Sequence, residues 1–179
     1  MKIFVGCSSR DIGNPVYNEI ADKIGEFIAS NGHALVFGGC SMGLMGRVYS
    51  KAKSGGAKVI ATQAKVYADE LEGVEAYDVK VLDTINDRKN CYKRCADVLV
   101  FIPGGIGTLD EFIDALETRR AGEHLCPMLI VNADGLYDGV LDTLDRMYKE
   151  NLASYGTREL YHAVHTADEA IDFLNQIRV

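Results

Sequence analysis

The sequence predicts an α/β fold: a single Rossmann-like, doubly wound parallel sheet with helices on both faces. Short apolar or β-branched runs alternate with helix-length amphipathic segments along the whole chain. Several of these runs are continuously apolar, as strands covered on both faces must be. The length of 179 residues is enough for one core and awkward for two, so residues 1–179 read as one domain.

The strand-like runs are residues 3–5, 34–37, 58–61, 77–82, 98–102, 128–131 and 161–164, which predicts six or seven strands. Between them Val16, Ile20, Ile24, Phe27 and Ile28 recur at helical spacing, and Gly32 stops that helix. Leu136, Val140, Leu141, Leu144, Met147 and Tyr148 repeat in the same way, as do Ala170, Ile171, Leu174 and Ile177. Ligands of such sheets bind in the loops beyond the carboxyl ends of the strands.

Bulk properties exclude several classes. With 26 acidic and 19 basic residues the formal charge is −7, which repels nucleic acid backbones, so no nucleic-acid partner is expected. A small anionic ligand would need a locally positive site. The cysteines Cys7, Cys40, Cys91, Cys95 and Cys126 are odd in number and read as reduced cytosolic thiols. Cys91 and Cys95 share a helical face, but His33, His124, His162 and His165 are scattered and supply no second pair. No metal site is expected on that ligand count. The chain opens in a strand-like run, and no apolar stretch approaches the roughly 20 residues that span a bilayer. The expectation is a cytoplasmic protein with no membrane partner.

Three loops have unusual composition. Pro103-Gly-Gly-Ile-Gly-Thr-Leu-Asp-Glu111 follows a strand and leads at once into a helix. Bare amides at Gly104, Gly105 and Gly107, a helix N-terminus and the Thr108 hydroxyl make an anion cradle. Thr108 and Glu111 also have the spacing of a helix capping box. Gly38-Gly-Cys-Ser-Met-Gly-Leu-Met-Gly46 resembles a P-loop, but no Lys-Ser/Thr follows Gly43, which argues against nucleoside triphosphate hydrolysis. Thr84-Ile-Asn-Asp-Arg-Lys-Asn90 opens a helix and puts Arg88 and Lys89 at the carboxyl edge of the sheet, where a guanidinium suits a phosphorylated ligand.

Together these loops resemble the LOG (Lonely Guy) family of cytokinin riboside 5′-monophosphate phosphoribohydrolases, whose members often carry the label of lysine decarboxylases. The family signature Pro-Gly-Gly-x-Gly-Thr-x-x-Glu is intact from Pro103 to Glu111. Its Gly-Leu-Met-Gly is present as Gly43 to Gly46, with Cys40 where a third glycine is usual. The family's Arg-Lys pair falls on Arg88 and Lys89, with Ile85 in place of methionine, and Ser8-Ser9 matches the family's opening. The resemblance implies a hydrolase that splits the N-glycosidic bond of a nucleoside 5′-monophosphate, with Arg88 and Glu111 catalytic and no cofactor. It implies substrate contacts at Ser8, Gly43, Glu70, Lys89, Gly104, Gly105, Gly107 and Thr108, and a homodimer. A tryptophan usual after the signature is missing, with Thr118 near its place, so the base could be a cytokinin, adenine or another. The rival reading is a non-catalytic nucleotide or molybdenum-cofactor carrier on the same fold, which needs the phosphate loop but not the Arg88–Glu111 pair. A decarboxylase would need a Schiff-base lysine and a pyridoxal phosphate site, and neither is visible.

Overall fold

The structure, a computed structural model, describes residues 1–178. Seven strands form one all-parallel sheet: β1 (Lys2–Gly6), β2 (Ala34–Phe37), β3 (Lys58–Ala64), β4 (Asp78–Leu82), β5 (Val98–Phe101), β6 (Met128–Val131) and β7 (His162–Val164). Their order is β4-β3-β2-β1-β5-β6-β7. The connecting helices are α1 (Pro15–Ser30), α2 (Gly43–Ser54), α3 (Ile85–Cys95), α4 (Ile106–Arg120), α5 (Asp138–Lys149) and α6 (Ala167–Gln176). Strand β3 runs three residues beyond its predicted end at residue 61, carrying the buried Thr62 and Gln63.

Alternation along the strands divides the core in two. Ile3 and Val5 of β1, Val98 and Val100 of β5 and Leu129 and Val131 of β6 pack on one face with α1, α2 and α6. Phe4, Leu99, Phe101, Met128 and Ile130 point the other way, onto Tyr92 of α3 and Phe112 of α4. Phe4 and Tyr92 stack with ring centroids 3.8 Å apart, and Phe101 and Phe112 meet edge-on at 5.5 Å. Such pairs add about 1 kcal/mol each beyond their buried area, and here they fix α3 and α4 to the centre of the sheet. This is the doubly wound fold that the sequence predicts. None of the described helices is long and apolar enough to cross a membrane.

The topology also locates the site. From β1 the strand order runs through β2 and β3 in one direction and through β5 and β6 in the other. That reversal opens a crevice between the carboxyl ends of β1 and β5, where the following loops diverge.

Candidate active site

A cavity of about 430 Å³ fills this crevice, within the usual size of small-molecule sites. Its first wall is the stretch after β1. Ser8 ties three loops together: its N–H donates to the Pro103 carbonyl at 3.2 Å, and its carbonyl accepts from Met45 N–H at 3.0 Å. Its hydroxyl accepts from Arg10 N–H at 3.0 Å. Burial pushes the thiol of Cys7, at the same strand end, far above its ordinary range.

The second wall is the start of α4. Gly105 is the N-cap, and no side-chain cap hydrogen bond forms, so the first amides of the helix have no partner among the described residues. The capping box that the spacing of Thr108 and Glu111 would allow does not form, because both lie inside the helix and the chain enters it at Gly105. Gly105 and Gly107 face open space, whereas a Cβ on Gly104 would lie 2.0 Å from Thr108 Oγ1. Gly104 is a packing glycine, its N–H bonded to Tyr137 Oη at 2.9 Å. An uncapped helix N-terminus facing a cavity attracts an anion through its free N–H groups and its dipole.

The third wall comes from α3. Thr84 and Asp87 form a true capping box, which starts the helix and sets Arg88 one turn in. The Arg88 guanidinium donates to Glu111 Oε1 across the cavity. Their side chains are only 12% and 10% exposed. Burial lowers the Arg88 pKa, against which the nearby Tyr92, Glu70 and Asp110 act. Two glycines leave room for the pair. A Cβ on Gly6 would sit 2.7 Å from Glu111 Oε2, and one on Gly38 would sit 3.2 Å from Arg88 Nη1.

The far end, beyond β3, is formed by Gln63, Tyr67 and Glu70. Gln63 is 3% exposed, and its carboxamide donates to Glu70 Oε2 at 3.2 Å. The cavity is thus lined by the open start of α4, by a buried ion pair, and by an aromatic ring, an amide and a carboxylate.

Residues 45–174 match the family described as "Possible lysine decarboxylase". The cytokinin riboside 5′-monophosphate phosphoribohydrolase LOG of Oryza sativa subsp. japonica is 31% identical over 171 residues, 95% of this chain and 71% of that protein. The Arabidopsis thaliana phosphoribohydrolase LOG3 is 31% identical over 98% of this chain and 82% of its own. The chain belongs to the LOG family. Among solved structures, a Moco carrier protein from Chlamydomonas reinhardtii aligns with a TM-score of 0.72 at 21% identity, covering 98% of this chain and 95% of that one. The molybdenum cofactor binding protein of Rippkaea orientalis gives 0.65 at 19%, over 97% and 93%. At those identities the likeness is one of fold.

In this LOG-family chain Ser8, Glu70, Arg88, Gly105, Gly107, Thr108 and Glu111 all line the one cavity. Gly104 supports Thr108 from behind. Gly43 lies at the start of α2 with φ +60°, and a Cβ there would come within 2.4 Å of the Arg10 carbonyl, so it packs one loop onto another. Lys89 is a correction in placement: its side chain is buried between α3 and α4 and bonded to Asp110 and Asp114, outside the cavity lining. Sequence reasoning missed Gly6, Gly38, Gln63, Tyr67 and Asp110. A polar Gln63 next to the apolar run of β3 was a usable signal. The two glycines were visible only as strand ends, since what they make room for comes from distant helices.

Proposed function

We propose that the protein hydrolyses the N-glycosidic bond of a nucleoside 5′-monophosphate, releasing a free base and ribose 5-phosphate. The observation that carries this is the buried Arg88–Glu111 contact, inside a cavity whose neighbouring wall is the uncapped start of α4. A protein that only held a phosphorylated ligand would need the helix start, but not a desolvated ion pair beside it. The activity named for the LOG relatives at 31% identity supports the same reading.

In this mechanism the amides of Gly105–Thr108 and the Thr108 hydroxyl hold the 5′-phosphate and so orient the ribose. As the C1′–N bond breaks, the electron pair leaves with the base and positive charge grows at C1′ and the ring oxygen. Glu111 accepts hydrogen bonds from the ribose hydroxyls and stabilises that charge electrostatically. Arg88 stabilises the electron pair on the departing base. Water adds its oxygen to C1′, and its proton neutralises the base. Glu70 and Tyr67 stand at the base end.

We also propose a cytoplasmic homodimer, as the family resemblance implies; light scattering at micromolar concentration tests the dimer. The reaction is tested by incubating the protein with a panel of nucleoside monophosphates and their phosphate-free nucleosides, with released base measured by chromatography. Base release confined to monophosphates is the expected result. Binding of a phosphorylated ligand without release from any of them would favour a carrier.

A further inference from the structure

Behind the cavity, α3 and α4 are joined by a second layer of charge centred on two buried lysines. The Lys89 and Lys93 side chains are 8% and 5% exposed, little for lysines. Lys89 Nζ donates to both Asp110 oxygens at 3.2 and 3.1 Å and lies 3.2 Å from Asp114 Oδ1. Lys93 Nζ donates to Asp114 Oδ2 at 2.6 Å and to Thr118 Oγ1 at 3.2 Å. Arg88 on Glu111 is the next rung of this ladder, on the cavity side.

The rungs are unequal. Asp114 has two cations, while Asp110 is within ion-pair distance of Lys89 alone among the described residues. Asp110 also lines the cavity, precedes Glu111 in sequence, and is close enough to Arg88 to act on its charge. Asp110 and Glu111 therefore line the same cavity as Arg88, and Lys89 pairs with the carboxylate that Arg88 does not take.

We infer that Lys89 is a positioning residue: by holding Asp110 it leaves the Arg88 guanidinium to Glu111. This replaces the substrate contact expected of Lys89 from the sequence. Its kinetic consequence rests on the proposed phosphoribohydrolase activity, but its structural consequence does not.

The test uses Lys89→Met, Lys89→Arg and the double variant Lys89→Met/Asp110→Asn, each crystallised and assayed. In Lys89→Met the guanidinium turns from Glu111 to Asp110, and kcat falls about 100-fold with KM nearly unchanged, the size expected of a misplaced catalytic group. Lys89→Arg keeps the native pairing and stays within a few-fold of the parent. The double variant, freed of the competing carboxylate, returns Arg88 to Glu111 and recovers at least about tenfold of the loss, a non-additivity typical of coupled neighbours. A native Arg88–Glu111 contact in Lys89→Met, or a double variant no better than the single, overturns the inference. Lys89→Gln serves in the same comparison should Lys89→Met not fold. If the parent hydrolyses no nucleotide, the proposed function falls, and the crystal structures alone decide this point.

Discussion

Arg88 on α3 and Glu111 on α4, 23 positions apart in the chain, hydrogen-bond to each other within the crevice beyond β1 and β5. Breaking a buried pair from one side strands the other charge, at about 3 kcal/mol, whereas replacing both partners with apolar residues is close to neutral. Arg88→Met and Glu111→Leu are each expected to lower the urea midpoint, and the double variant to restore it. Activity should behave differently: each single change lowers kcat by about 100- to 1000-fold, and the double change recovers none of it. Restored activity in the double variant would show that the pair is structural.

The glycines of the α4 start divide into packing and open positions. Gly104→Ala places a methyl 2.0 Å from Thr108 Oγ1 and is expected to destabilise the protein. Gly105→Ala meets nothing within 4 Å, so its melting temperature should match the parent. If the phosphate lies where the mechanism puts it, the same methyl intrudes on the ligand and raises KM at least about tenfold, the effect of losing roughly one good contact. Unchanged stability together with unchanged KM would move the phosphate elsewhere.

Much of this was legible in the sequence, for identifiable reasons. Strands such as β5 and β6 are apolar on both faces and so stand out as continuous runs, and the short loops between elements dictate a parallel order. The glycine-rich start of α4 stands out in the sequence because Gly104, Gly105 and Gly107 fall within four residues, of which Gly104 serves packing and the other two face open space. The sequence pairs Arg88 and Lys89, but adjacent residues on a helix point about 100° apart, so Arg88 turns into the cavity and Lys89 onto Asp110 and Asp114 of α4. Thr108 and Glu111 have the spacing of a capping box, while the boxes that form are Thr84 with Asp87 and Thr166 with Glu169, because spacing alone does not say where the chain enters its helix.

Those capping boxes give a prediction that separates stability from position. Thr84→Ala and Thr166→Ala each remove a cap of the same design and should each cost about 1 kcal/mol. Only Thr84 starts the helix that carries Arg88. Thr84→Ala is therefore expected to lower kcat as well, and Thr166→Ala to leave it near the parent value. Equal kinetic losses in both would mean that general destabilisation is being measured.

The ladder behind the cavity has a pH signature. Burial by itself pushes the Asp114 carboxyl up, but the bonds and charges of Lys93 and Lys89 outweigh it and hold the carboxyl below its usual value. A lowered native pKa means that the unfolded chain binds the proton more readily. The stabilisation is thus complete above about pH 4 and is lost as pH falls through the native value. Urea midpoints measured from pH 7 down to pH 3 should fall less steeply at the acid end for Asp114→Asn than for the parent. Parallel curves would remove Asp114 from the acid response.

The most direct test of the account follows the anomeric proton of a nucleoside 5′-monophosphate by NMR during incubation with the parent protein and with Glu111→Ala. Candidate substrates are a cytokinin ribotide, AMP and CMP. The expected result is free base and ribose 5-phosphate in equal amounts from at least one of them, with the rate reduced about 100-fold or more in the variant. Intact nucleotide throughout, or equal rates in parent and variant, would contradict catalysis by the Arg88–Glu111 pair.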